Sequence, residues 1–137
     1  MVYIQLAKNN PHKLSFYLAM EEYVARRLNL SDDCFFLWQV EPTVIFGRNQ
    51  DIESEVNLDY CKQHGINFFR RKSGGGCVYA DMSNVMSSFI TNEDNVDETF
   101  ARYLKMMSET LESIGLKDVH PSGHNDIMIG DKKVSGN

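Results

Sequence analysis

The sequence predicts an α+β (mixed α/β) protein in which a mainly antiparallel or mixed sheet packs with helices. Three observations point there. Short apolar runs are bounded by turn residues, two long segments of helical periodicity lie between them, and glycine or proline punctuates the boundaries.

Val2 to Leu6 reads as a strand, after which Asn9-Asn10-Pro11 supplies the start of an amphipathic helix over about residues 12–28. Leu14, Tyr17, Leu18, Ala25 and Leu28 fall on its expected apolar face. Cys34 to Val40 is a second apolar run, broken at Pro42 and resumed by Thr43-Val44-Ile45-Phe46 before Gly47, which predicts a hairpin or two adjacent strands. A short helix over residues 58–64 is closed by Gly65. A strand over 66–71 then enters a glycine turn and returns through Cys77-Val78-Tyr79, and Val85 to Thr91 forms another strand. Asn92-Glu93-Asp94-Asn95 leads into a helix of about residues 97–114, where Asp97 and Glu98 suit the positive end of the helix dipole. Its expected stripe is Tyr103, Leu104, Met107, Leu111 and Ile114. Asn125 to Ile129 and Asp131 to Asn137 finish the chain as a strand and turn segment.

A chain of 137 residues is expected to form one domain around one core. Its 42% hydrophobic and 24% charged residues are ordinary for a globular protein, and no apolar run approaches the roughly 20 residues needed to cross a bilayer. The first residues lack a basic and apolar leader, so a cytoplasmic location is expected. Cys34, Cys61 and Cys77 show neither disulfide nor zinc spacing, and His12, His64, His120 and His124 show no metal pattern. A net charge of -5 argues against nucleic acid as a partner, so any anion binding has to be local.

Two local clusters stand out. In Arg70-Arg71-Lys72-Ser73-Gly74-Gly75-Gly76-Cys77-Val78-Tyr79, three cations precede three glycines. Glycine permits positive φ and close approach of the main chain, so successive amides can converge on phosphate oxygens while guanidinium groups fork onto the same charge. A tight hairpin is the competing reading. Neither a Walker A loop nor a dinucleotide fingerprint is present. The second cluster is Asp131-Lys132-Lys133-Val134-Ser135-Gly136-Asn137, where Lys133 is either a solvated surface lysine or a fixed charge beside a reacting group. Asp126 and Asn84 are each candidates for a nucleotide or metal contact or for a turn cap, and Cys77 for a nucleophile or a small apolar filler.

The chain resembles the lipoate-protein ligase A family, whose fold is that of the biotin/lipoate protein ligase catalytic domain. The segments that carry the resemblance are Phe16 to Tyr23, Phe36-Leu37-Trp38-Gln39, Pro42 to Gln50, and Glu55-Val56-Asn57. They continue with Arg70 to Tyr79, Asp81 with Asn84, Ser88-Phe89-Ile90, Asn125-Asp126-Ile127 and Lys132 to Asn137. The resemblance implies a two-step reaction in which lipoate and Mg2+-ATP give lipoyl-AMP, and the lipoyl group then passes to a lysine of a lipoyl carrier domain. The carriers implied are those of 2-oxoacid dehydrogenase complexes or the glycine-cleavage H protein.

By the same resemblance Lys133 is the expected catalytic residue, lying between the lipoyl carbonyl and the α-phosphate. Arg71, Gly76, Cys77, Val78 and Tyr79 would bind ATP or lipoyl-AMP with it. Arg70, Ser73, Gly74, Gly75, Asn84 and Asp126 would bind lipoate or support the site, with Asp126 also the candidate for Mg2+. Two positions depart from the family pattern, since Cys77 stands where alanine is common and Ala80 where histidine is common. The resemblance further implies that residues 1–137 are the N-terminal part of the catalytic domain, so the fold is incomplete without further segments and any accessory domain. Two alternatives of other character stay open: an octanoyl or lipoyl transferase of the same fold acting through a cysteine thioester, and a non-catalytic lipoyl- or nucleotide-binding half-domain that works with a partner chain.

Overall fold

The computed structural model describes residues 1–6, 12–28, 31–123 and 125–137. The expected turn at Asn9-Asn10-Pro11, and His124, lie outside them. Where one core was expected, the chain divides into two compact units, Met1–Ile90 and Thr91–Asn137.

Among the described residues the first unit holds six strands and three helices: β1 (Val2–Tyr3), α1 (Leu14–Arg27), β2 (Cys34–Trp38), β3 (Thr43–Phe46), α2 (Ile52–Glu55), α3 (Leu58–Gln63), β4 (Asn67–Arg70), β5 (Val78–Ala80) and β6 (Met86–Ile90). Of the expected 2–6 strand, Val2 and Tyr3 form the ladder, and the Ile4 amide also donates to the Phe35 carbonyl at 2.9 Å. Strand β1 runs parallel to β2, which is antiparallel to β6 with Phe36 opposite Ser88 and Trp38 opposite Met86. Along β2, Cys34, Phe36 and Trp38 are buried while Leu37 faces out, the period-two alternation of a half-buried strand.

Helix α1 buries Leu14, Tyr17 and Val24, and Glu21 completes that stripe at helical spacing. Ala25 and Leu28, expected on the apolar face, are exposed, because the stripe drifts past them as the helix ends at Arg27. Leu14 and Tyr17 join Phe36, Trp38, Val40, Ile45 and Ala80 in one core, and the Tyr17 and Trp38 rings stack with centroids 4.6 Å apart. Burying a side chain such as Phe36 contributes about 2–3 kcal/mol.

Strand β3 is the centre of a separate sheet, parallel to β4 on one side and antiparallel to β5 on the other. Ile45 points into the core just described, whereas Phe46 joins Val56 and Cys61 in a second cluster. A strand apolar on both faces needs a neighbour at each edge and cover on each side. That demand explains two corrections. Neither the hairpin nor the pair of adjacent strands expected from Cys34 to Phe46 forms, since β2 and β3 enter different sheets. The glycine segment is not a hairpin turn either, since β4 and β5 do not pair and the link between them passes the end of β3.

Helix α2 was not anticipated, being one short turn without apolar periodicity. It is capped by Asp51, whose carboxylate accepts from the Ser54 hydroxyl and amide and is thereby held below the usual carboxylate range. Helix α3 is capped by Asn57 and followed by Gly65 at φ +66°, as its terminal glycine predicted.

The second unit contains α4 (Val96–Ser113), β7 (Val119–Pro121), β8 (Asp126–Ile129) and β9 (Lys132–Gly136). Asn95 caps α4 by accepting from the amides of Asp97 and Glu98. Leu104, Val119 and fully buried Ile127 form its core, with Met107 and Leu111 packed against them. Ile114 leaves the expected stripe and is 72% exposed, since it sits at the helix C-cap. Strands β7, β8 and β9 form an antiparallel meander, interrupted by a bulge in β9 that leaves Val134 without a partner between Lys133 and Ser135. The α+β class with mixed sheets is as the sequence predicted.

Candidate functional site

The glycine segment is held by its two arginines. The Arg71 guanidinium donates from Nε and Nη2 to the Gly74 carbonyl, from Nη2 to Gly76 at 2.7 Å, and from Nη1 to Ile45 at 3.3 Å. Arg70 turns the other way, with Nη1 donating to the carbonyls of Gly47, Arg48 and Gln50 and its guanidinium lying 4.5 Å from the centre of the Phe46 ring. Two loops are thereby tied together, the one after β3 and the one after β4. The Arg48 amide adds a bond to the Ser73 carbonyl at 2.9 Å, and the Gly47 amide donates to the Gln50 side chain.

The loops meet so closely that only glycine fits. A Cβ on Gly47 would stand 2.1 Å from the Gly75 carbonyl oxygen. Gly75 itself takes φ +90°, a region that L side chains rarely adopt. Among the described residues, no acceptor takes the amides of Gly74, Gly75 or Gly76, and all three glycines are exposed. Such a bend, with its amides open and a left-handed residue at its centre, has the character of an anion nest.

Arg71 was expected to hold phosphate directly. In the structure its guanidinium braces the bend from within. Lys72 is turned away and pairs with Glu22 of α1, whose carboxylate the Lys72 ammonium holds below its usual range. Burial, followed by the Glu55 carboxylate, pushes the Cys77 thiol up against the opposing pull of Arg71, and Cys77 packs on the Phe46 cluster. A thiol so placed stays protonated at neutral pH, which disfavours its use as a nucleophile. Val78 and Tyr79 are exposed on the edge strand β5. The Asn84 side chain accepts from the Asp81 amide at 3.0 Å and closes the turn into β6, where Asp81 is held low chiefly by the Ser83 hydroxyl. Asn84 thus has the geometry of a turn cap, one of the two readings that its place in the sequence allowed.

In the second unit, the Lys133 ammonium lies 2.9 Å from Asp126 Oδ1. The β9 bulge puts Gly136 opposite Asp126, and the Lys133 stem crosses over that glycine, where a Cβ would stand 3.1 Å from both Cε and Nζ. The Asn137 side chain donates to the Asn125 carbonyl at 2.7 Å, and Asn125 itself adopts φ +65°. Lys133, Asp126, Gly136 and Asn137 are thus one assembly. Asp126 was also the candidate for Mg2+. Its oxygen is taken by an ammonium that competes with any dication there, and among the described residues no three His, Cys, Asp or Glu side chains gather as a metal site.

A third feature escaped sequence reasoning. Glu21 accepts a hydrogen bond from the Ser88 hydroxyl, and the Trp38 indole donates to that same Ser88 oxygen at 2.8 Å. Burial raises the Glu21 pKa, with the Ser88 bond opposing it. A carboxylate inside the Leu14, Tyr17, Val24 stripe was the available signal. The roles of Gly47, Arg48 and Gln50 were also missed, although a glycine and arginine directly after a strand mirror the composition of the neighbouring loop.

The lipoyl protein ligase A/B catalytic domain model matches residues 13–137 of this chain. Lipoate-protein ligase 1 of Staphylococcus aureus is 38% identical over 133 residues, covering 96% of this chain and 40% of that protein. A crystal structure of lipoate-protein ligase A bound with ATP superimposes with a TM-score of 0.82 at 30% identity, over 96% of this chain and 57% of that one. A bi-partite lipoate protein ligase of Thermoplasma acidophilum, studied with its E2 lipoyl domain, gives a TM-score of 0.74 at 30% identity, over 90% of this chain and 49% of that one. The chain spans about two-fifths of the length of the curated relatives it matches.

Proposed function

Because the chain belongs to the lipoyl protein ligase A/B catalytic-domain family, we propose that the protein activates lipoate with ATP as lipoyl-AMP and then passes the lipoyl group to a lysine of a lipoyl carrier domain. The observation that carries this reading is the braced glycine bend with its open amides. A similar ligase binds ATP, and another is paired with an E2 lipoyl domain, which supports the nucleotide and the carrier.

In the first step a lipoate carboxylate oxygen attacks the α-phosphorus, the bond to the β-phosphate bridge breaks, and pyrophosphate leaves. In the second, the carrier amine attacks the lipoyl carbonyl and AMP departs. The bend from Ser73 to Tyr79 receives phosphate and nucleotide through its main chain, while Arg70 and Arg71 keep its shape. Lys133, aimed by Asp126, neutralises charge at the α-phosphate and polarises the carbonyl. Mg2+ enters with ATP as part of the substrate. Further catalytic-domain segments outside residues 1–137 complete the site, and the reaction takes place in the cytoplasm.

The test uses the full-length protein with lipoate, ATP and a lipoyl domain. Lipoate-dependent pyrophosphate release and a lipoylated carrier are expected, and Lys133→Ala removes most of both. Acyl transfer between carriers without ATP, through an adduct on Cys77, would replace this reading with the thioester transferase.

A further inference from the structure

The two arginines that precede the glycines are anchored to main-chain carbonyls. Of the five N–H groups of a guanidinium, Arg71 uses four, so it lacks the pair needed to fork onto a phosphate without releasing the bend. Arg70 is fixed through three carbonyls and the Phe46 ring. Arg48 differs from both. Its amide donates to Ser73 and its carbonyl accepts from Arg70, so its main chain is fixed beside the first residue of the glycine bend. Its side chain is exposed, and among the described residues its guanidinium has no hydrogen-bond or ion-pair partner.

We propose that Arg48 binds the β- and γ-phosphates of the nucleotide, next to the open amides of Gly74, Gly75 and Gly76. This rests on the ATP-dependent reading of the same site. A guanidinium matches phosphate oxygens as a planar fork, and negative charge grows on the pyrophosphate as the α-phosphorus bond breaks. The arginine therefore serves the activation step, binding ATP and stabilising the departing pyrophosphate. Once lipoyl-AMP has formed, that group is gone and Arg48 has nothing left to hold. An exposed cation used for docking the carrier would act in the opposite half of the reaction.

The experiment compares the full-length protein with its Arg48→Ala and Arg48→Lys variants. For Arg48→Ala, the KM for ATP in pyrophosphate release and the inhibition constant for added inorganic pyrophosphate are each expected to rise about tenfold or more, with Arg48→Lys in between. Lipoyl transfer to a lipoyl domain from supplied lipoyl-AMP is expected to stay within about twofold of the parent protein, which also shows that the variants are folded. Unchanged ATP and pyrophosphate constants would overturn the proposal, and so would slowed transfer from lipoyl-AMP, which would make Arg48 a carrier contact. If the parent protein releases no pyrophosphate from lipoate and ATP, the functional reading fails. Broadening of the phosphorus resonance of inorganic pyrophosphate, present with the parent and lost in Arg48→Ala, then decides the arginine's role separately.

Discussion

Lys133 reaches Asp126 only by passing over Gly136, a position where a methyl group would stand 3.1 Å from its ammonium. The lysine, its carboxylate partner and the glycine beneath it are set together by one bulge in β9. Gly136→Ala is therefore expected to displace the ammonium without unfolding the meander. With Lys133 in the role proposed above, formation of lipoyl-AMP by the full-length protein should fall on the order of tenfold to a hundredfold. Because the Lys133 side chain is more than half exposed, the ion pair itself should contribute less than about 1 kcal/mol to stability, and the urea midpoint should barely move.

Gly47→Ala makes the opposite prediction. Its Cβ would meet a main-chain carbonyl oxygen at 2.1 Å, so the two loops must separate rather than one flexible side chain shift. A loss of roughly 1–3 kcal/mol in unfolding free energy is expected, together with weakened ATP binding. Denaturant titration measures the first and pyrophosphate release the second. An alanine variant with parental stability would show that the close approach is not maintained in solution.

The half-buried Glu21 carboxyl has a pKa above its ordinary value, which fixes the sign of its pH effect. Below the ordinary glutamate range it is protonated in folded and unfolded chains alike. As pH rises through that range the unfolded chain ionises first, so Glu21 lowers stability progressively until the folded group ionises as well. Glu21→Gln keeps an acceptor for the Ser88 hydroxyl and removes the titration. Its stability relative to the parent should increase as pH rises above the ordinary glutamate value. Trp38 is the single tryptophan of the chain and is joined to Glu21 through Ser88, so unfolding followed by its fluorescence gives the comparison directly.

The Ser108 hydroxyl is buried in α4 and, among the described residues, has no hydrogen-bond partner. Replacing it with alanine removes an unsatisfied polar group and adds the best helix former. A gain of roughly 1 kcal/mol is expected from thermal or denaturant unfolding.

Much of this was legible because local chemistry governs it. Gly65 marks a helix end, Asn92 to Asn95 leads into α4, and the glycine run announces a bend that other residues could not make. Strand order was not legible. Nothing local to Cys34 to Phe46 reveals that β2 and β3 enter different sheets, since that follows from Ile45 and Phe46 each finding a separate apolar partner layer. For the same reason the carbonyl contacts of Arg71 were not foreseen. Its charge is evident from sequence, whereas the fold of the bend that turns the Gly74 and Gly76 carbonyls onto its guanidinium, and the pairing that brings up Ile45 of β3, are not. Glu21 was passed over because a single acid on a helix face is ordinarily solvated, and its partners lie far away in sequence.

The central place of β3, with β4 and β5 on either side, also bears on the order of assembly. The linker from Arg71 to Cys77 has to straddle a strand contributed by an earlier part of the chain, so its final curvature depends on long-range docking as well as on its own Arg71 and Gly75. Competence to capture a phosphate should consequently emerge late in folding, at the same time as the interior around Ile45 and Phe46 closes, and partly collapsed chains should show no affinity for nucleotide.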